Sequence, residues 1–108
     1  MDISSEMITY GFRNLCGIEI DVAEPYHSEI HCLVETKHLN PRGTAHGGFI
    51  FTMMDVGAGT AALVTPQGIR NTVTLNSSIH YLKPMKPGMA VVKADVVKGG
   101  AKIAYVEA

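Results

Sequence analysis

A chain of 108 residues, 46% hydrophobic and 18% charged, has room for one domain and one core, near the size at which a subunit interface supplies part of the burial. Nine basic against ten acidic residues leave a net charge of −1, which argues against a polyelectrolyte partner such as nucleic acid; plentiful Ile, Val, Leu and Met argue against disorder. Two cysteines, Cys16 and Cys32, fit neither a disulfide framework nor a four-ligand zinc site and point to a reducing compartment, so neither metal nor disulfide is expected. The stretch Met1–Glu6 is acidic and lacks the apolar core of a signal peptide, and the nearest approach to a membrane span, Gly48 to Val64, is short and carries Asp55 at its middle. The expectation is a soluble, cytoplasmic protein.

In chain order, residues 6–16 set Met7, Ile8, Phe12 and Leu15 at helical spacing, predicting a short amphipathic helix lying on another element. Ile18, Ile20 and Val22 alternate with Glu19, Asp21 and Ala23 as a half-buried strand ended by Pro25. A second strand, Ser28 to Thr36, turns Ile30, Cys32 and Val34 to one face, and the short link between the two makes a hairpin. Residues 38–48 are loop by their Pro and Gly content, and Gly48 to Val64 is apolar almost all round, the pattern of a buried helix. Thr65-Pro66-Gln67-Gly68 stops it. Alternation resumes with Val73, Leu75, Ile79 and Tyr81, then a strand from Met89 to Val97, a Gly99-Gly100 hairpin signal and a last strand over residues 101–107. One long helix among hairpin strands is an α+β order with a largely antiparallel sheet, five strands curling around the helix.

Chemistry concentrates between Asn40 and Asp55. Asp55, in a helix otherwise built of Phe, Ile, Met, Val, Thr, Ala and Gly, is either a structural acid bonded to backbone or hydroxyl, or a functional carboxylate in a cavity. Gly47-Gly48 is either a flexible junction or a place where a ligand reaches free N–H groups at the positive end of a helix. His46 is either a loop hydrogen-bonder or a catalyst. On one helix, Gly47 and Asp55 stand roughly 12 Å apart along the axis and about 80° apart around it. Reacting groups must approach within about 3.5 Å, so a shared site requires Gly47 of one chain opposite Asp55 of another.

The string Asn40-x5-His46-Gly47-Gly48-x6-Asp55, with TVTLNSSIHYLKP downstream, resembles the hotdog-fold thioesterases, and within them the PaaI-like acyl-CoA thioesterases. That resemblance spans nearly the whole chain as a single domain and implies a curved antiparallel sheet wrapped around the central helix. It implies that the Gly47 amide polarises a thioester carbonyl and that Asp55, from the partner subunit, acts as general base or nucleophile. It further implies that Asn40 places the thioester or water, that Thr74 supports the acid, and that His46 shapes the loop, with His46 and Gly48 among the substrate-binding residues. The implied assembly is a homodimer or dimer of dimers acting on an acyl-CoA without cofactor. Such proteins usually continue past Ala108 into a further long strand, placed between its neighbour and the strand carrying Thr74. The resemblance thus implies a hotdog domain lacking its usual last strand, whether as a truncated or incomplete copy or as a natural short form.

Five lysines against Asp95 and Glu107 leave residues 83–108 at +3, whereas residues 1–82, with four basic and eight acidic side chains, stand at −4. The lysines, Lys83 and Lys86 foremost, are either an ordinary solvated face or a rim for coenzyme A phosphates. Phe49, Met53, Met54 and Leu63 are core or the lining of an acyl tunnel. Two rivals have the same resemblance: a non-catalytic acyl-CoA-binding hotdog domain, which needs no Asp55, and a hotdog enoyl-CoA hydratase or dehydratase. The latter calls for an acid about five residues before its histidine, where this chain has Asn40, Pro41, Arg42 and Gly43.

Overall fold

The computed structural model describes residues 11–108. The elements are α1 (Phe12–Cys16), β1 (Glu19–Glu24), β2 (His27–Val34), a single 3-10 turn (Thr36–His38), α2 (Gly47–Leu63), β3 (Val64–Thr65), β4 (Gly68–Ile69), β5 (Gly88–Gly99) and β6 (Ala104–Glu107). Strands β1, β2, β5 and β6 form one antiparallel sheet in that order, and β3–β4 is a two-residue ribbon closing the end of α2. Of the expected N-terminal helix, Met7 and Ile8 lie outside the described residues. Its remainder, α1, is capped by Gly17, and Phe12 and Leu15 are 62% and 70% exposed, so these two side chains are mostly in solvent.

The hairpin forms as the alternation dictates, with two refinements. Pro25 and Tyr26 make the turn, and Tyr26 takes a φ of 68°, a cost tolerated because its carbonyl receives the Val96 N–H at 2.8 Å. A bulge at Asp21 shifts the register between Ile20 and Val22. Along β2, Ser28, Ile30, Cys32 and Val34 all point into the core. They meet Ala90, Val92 and Ala94 of β5, the inward face of the longest strand.

Helix α2 packs on β2 and β5 through Phe49, Met53, Gly57, Thr60 and Ala61, while the rest of its surface is half-buried. That corrects the expectation of burial all round: the sheet covers one face of the helix. Gly57 makes the approach possible, since a Cβ there would sit 2.9 Å from Val92 Cγ1; its carbonyl accepts the buried Ser28 hydroxyl at 2.6 Å. Gly59, one turn-step further round, has nothing within 4 Å of such a Cβ.

Two strand expectations need correction. The alternating stretch Val73–Tyr81 runs without any ladder, with Val73 82% and Leu75 78% exposed. A strand exists only where a neighbour takes its N–H and C=O groups, and no described residue does so here. The fold is therefore four main strands plus a ribbon rather than five strands around the helix. At the other end, Gly99 pairs with Ala104, so the Gly-rich connection is a four-residue loop rather than a tight turn.

On the outer face of the sheet, His27 sits between Glu29, 2.8 Å from its Nε2, and Asp95, 2.7 Å from its Nδ1. Its pKa is raised above the ordinary 6.5, first by the bond to Glu29 and then by that to Asp95. Stabilisation by the charged imidazole is complete below pH 6.5 and is lost as pH climbs through the higher folded-state value. The thermal midpoint of the native chain is therefore expected to fall with rising pH above 6.5, and that of His27→Gln to fall less steeply. A second pair of variants tests the packing of α2. Gly57→Ala is expected to destabilise by about 1 kcal/mol, overpacking against Val92 outweighing the gain in helix propensity. Gly59→Ala is expected to stabilise by about 0.5–1 kcal/mol, both read by denaturant melts.

Candidate active site

The start of α2 is held by a loop that folds on itself. Leu39 bridges Ala45, the Ala45 N–H reaches Met85 C=O at 2.7 Å, and the His46 N–H reaches His38 C=O at 2.8 Å. Asn40 is the organiser of this loop. Its Oδ1 accepts the N–H groups of Arg42 at 2.9 Å and Thr44 at 3.3 Å, and its Nδ2 donates to Thr44 Oγ1 at 2.8 Å. An Asx turn of this kind is what a short carboxamide does in a Pro/Gly loop.

His46 is the N-cap of α2. Its carbonyl receives Phe49 and Ile50 N–H, and its Nδ1 accepts the Gly48 N–H at 2.8 Å. A Cβ on Gly48 would lie 3.1 Å from that nitrogen, so glycine there keeps the cap close. A ring nitrogen that accepts carries no proton, which leaves the neutral ring's proton on Nε2. With Gly48, Phe49 and Ile50 amides engaged, the Gly47 N–H is the one amide of this first turn that finds no acceptor among the described residues. It opens at the positive end of a 17-residue helix.

A groove of about 470 Å³ runs from this point, lined by Asn40, Arg42, Gly47, Ile50, Tyr81 and Lys83 among others. Tyr81 forms a wall of it. Its ring lies about 3.5 Å from where a Gly47 Cβ would stand, and its hydroxyl donates to Gly47 C=O at 2.8 Å. Neither Tyr81 nor Arg42 was distinguishable from the sequence as a site residue; the alternation shows that Tyr81 and Ile79 share a face but not that a backbone carbonyl waits for its hydroxyl.

Asp55 lies half-buried on α2, eight residues beyond Gly47, and does not line the groove. Thr74 Oγ1 donates to its Oδ1 at 2.6 Å. The structure thus joins Thr74 to Asp55, and Asn40, Gly47 and Lys83 to the groove, and leaves these two groups apart within one chain. Lys86 is exposed and outside the groove, and His46 and Gly48 act through the helix start. The two thiols are poor nucleophile candidates, since burial pushes both Cys16 and Cys32 up from the usual range. His38, buried against Phe49 with ring centroids 4.2 Å apart, is a structural histidine: it accepts the Glu35 N–H and donates to Cys16 C=O. No helix among the described residues is long and apolar enough to cross a membrane.

The chain is similar to known proteins in sequence and in fold. A family model described as the thioesterase superfamily matches residues 42–108. The chain is 37% identical over 73 residues to acyl-coenzyme A thioesterase 13 of Homo sapiens, a match covering 67% of this chain and 51% of that protein. It is similar in structure to a Streptococcus mutans protein bound to acetyl CoA, with a TM-score of 0.75 and 34% identity over 82% of this chain and 70% of that one. It is also similar to a mutant of the phenylacetic acid degradation protein PaaI from Thermus thermophilus, with a TM-score of 0.77 and 26% identity over 86% of this chain and 78% of that one. The chain spans at most 62% of the length of the curated relatives it matches.

Proposed function

Because this chain belongs to the thioesterase superfamily and has its hotdog fold, we propose that it hydrolyses an acyl-CoA thioester in a site built from Gly47 of one protomer and Asp55 of its partner. The observation that carries this is an amide with no acceptor among the described residues, at the head of a groove, on a helix whose only carboxylate is held eight residues away by a threonine hydroxyl. The name of the human relative and the acetyl CoA bound by the streptococcal neighbour support the substrate class.

In this reading the thioester carbonyl lies in the groove with its oxygen against the Gly47 N–H, where the helix end stabilises the charge that develops on it. The Thr74 hydroxyl occupies Asp55 Oδ1 and leaves Oδ2 to work. As a general base, Asp55 takes a proton from water as the water oxygen bonds to the acyl carbon. The C–S bond then breaks, and that proton passes to the departing thiolate. As a nucleophile, the carboxylate itself bonds to the acyl carbon as the C–S bond breaks and the thiolate departs; water then opens the resulting anhydride to the free acid and the Asp55 carboxylate, and the proton released goes to the thiolate. Asn40 shapes the loop that places thioester and water, His46 and Gly48 hold the helix start, and Lys83 and Lys86 face the coenzyme's phosphates. Assembly into a homodimer, or a dimer of dimers, brings the two halves of the site together.

Gly47→Pro removes the amide hydrogen while keeping the helix start, because proline is favoured at the first helical position and His46, at ψ 135°, already has the backbone that precedes proline; its Cδ then stands where that hydrogen pointed, so the substitution also crowds the carbonyl oxygen. Its expected kcat loss is about 10²–10³-fold. Asp55→Ala is expected to abolish thiol release while CoA binding persists; a native chain that binds acyl-CoA without releasing thiol would instead be a binding domain. Mixing the two inactive variants after unfolding and refolding together is expected to restore about a quarter of native activity, since half the dimers carry one intact composite site. No recovery would place both groups in one chain and overturn the composite site. For the phosphate rim, the KM for acyl-CoA is expected to climb with ionic strength, and to climb less in Lys83→Ala/Lys86→Ala; equal slopes would remove the lysines from binding.

A further inference from the structure

One peptide unit, Gly47–Gly48, is gripped at both ends by side chains from different parts of the chain. Its carbonyl accepts the Tyr81 hydroxyl at 2.8 Å, and its N–H donates to His46 Nδ1 at 2.8 Å. This is the peptide unit immediately after the free Gly47 amide. The unit that carries this amide, His46–Gly47, is held at its carbonyl, which receives the Phe49 and Ile50 N–H groups, and the unit before it donates the His46 N–H to the His38 carbonyl. Two consecutive glycines at a helix start are otherwise the softest backbone in the site, with no side chain to restrict Gly47 or Gly48.

Resting on the thioesterase reading above, we infer that Tyr81 is a positioning residue which, opposite His46, clamps the Gly47–Gly48 peptide and so aims the Gly47 N–H at the thioester oxygen. Three features fit that role and not mere wall-building. Tyr81 is 53% exposed, so its hydroxyl has water available and still meets a backbone carbonyl. Its bond and that of His46 lie on the same peptide group, so each polarises the group toward the other. And the Asn71–Lys83 segment, without ladder partners, is tied to α2 by side chains at two points: Thr74 on Asp55 and Tyr81 on Gly47. One extended segment therefore sets both the acid and the amide of the proposed chemistry. An oxyanion donor displaced by about 1 Å loses much of its worth, so the loss of one hydroxyl here is felt in the rate rather than in the fold.

The test is a double-mutant cycle of Tyr81→Phe with Gly47→Pro, read as steady-state kcat and KM on acetyl-CoA, or on whichever acyl-CoA of a short, long and aryl panel the native chain turns over, with thermal midpoints of all four proteins. Tyr81→Phe is expected to lower kcat about tenfold with KM and midpoint little changed, and to have no further effect in the Gly47→Pro background, where there is no N–H to aim. Tyr81→Phe with native kcat, a loss confined to KM, or an equal loss in both backgrounds would overturn the clamp. If Gly47→Pro itself keeps native kcat, it is the amide's role in the thioesterase reading that fails, and the clamp falls with it.

Discussion

At Gly57, α2 comes closer to the sheet than any side chain would permit: a methyl group there would stand 2.9 Å from Val92 Cγ1, and the Gly57 carbonyl takes the buried Ser28 hydroxyl at 2.6 Å. The helix needs this contact because its composition chooses no face. Phe49, Ile50, Phe51, Met53, Met54 and Val56 spread over more than half of its circumference, so apolar burial alone would tolerate several rotations about the axis. The small-residue contact and the serine bond select one of them. Gly47 begins this helix and Asp55 lies two residues before Gly57, so the contact sets the height and rotation of both.

Among the described residues, the same helix is the one element that the segment from Asn71 to Lys83 hydrogen-bonds to. No described strand lies beside that segment, and its Val73 and Leu75 are exposed. Two of its side chains bond α2: Thr74 to Asp55, Tyr81 to Gly47. The nearby Met85 carbonyl receives the Ala45 N–H and ties the loop before the helix to the same stretch of chain. Groups separated by more than 30 residues in sequence, Tyr81 and Gly47, thus meet at the first turn of one helix, where the Gly47 N–H precedes any helical carbonyl and has no acceptor among the described residues.

Much of this was legible in the residues. Asp55 announced itself because a carboxylate inside an apolar helix must find a partner, and it finds Thr74. Gly47-Gly48 after His46 marked a helix start, and His46 is indeed its cap. Strand β2 followed from strict alternation, with all four inward residues buried. The failures have a common physical origin. Val73–Tyr81 alternates as well as β2 does, yet alternation reports only which side chains share a face. Whether the backbone groups between them have acceptors depends on what lies alongside. Tyr81 escaped notice for the same reason, since its partner is a backbone carbonyl 34 residues away, and every residue type carries one.

The residues alone determined the class of fold, the central helix, and the short list of groups able to do chemistry. Those follow from local quantities: periodicity, the free energy of burying a charge, and the conformations open to glycine and proline. The tertiary structure decided which of these groups meet. It put the Thr74 hydroxyl on Asp55, drew Asn40 into its own loop, pressed Tyr81 against Gly47 and kept Asp55 out of the groove that Gly47 opens. Such decisions rest on hydrogen bonds and close contacts between distant parts of the chain, whose energies depend on tenths of an ångström that no one-dimensional pattern records.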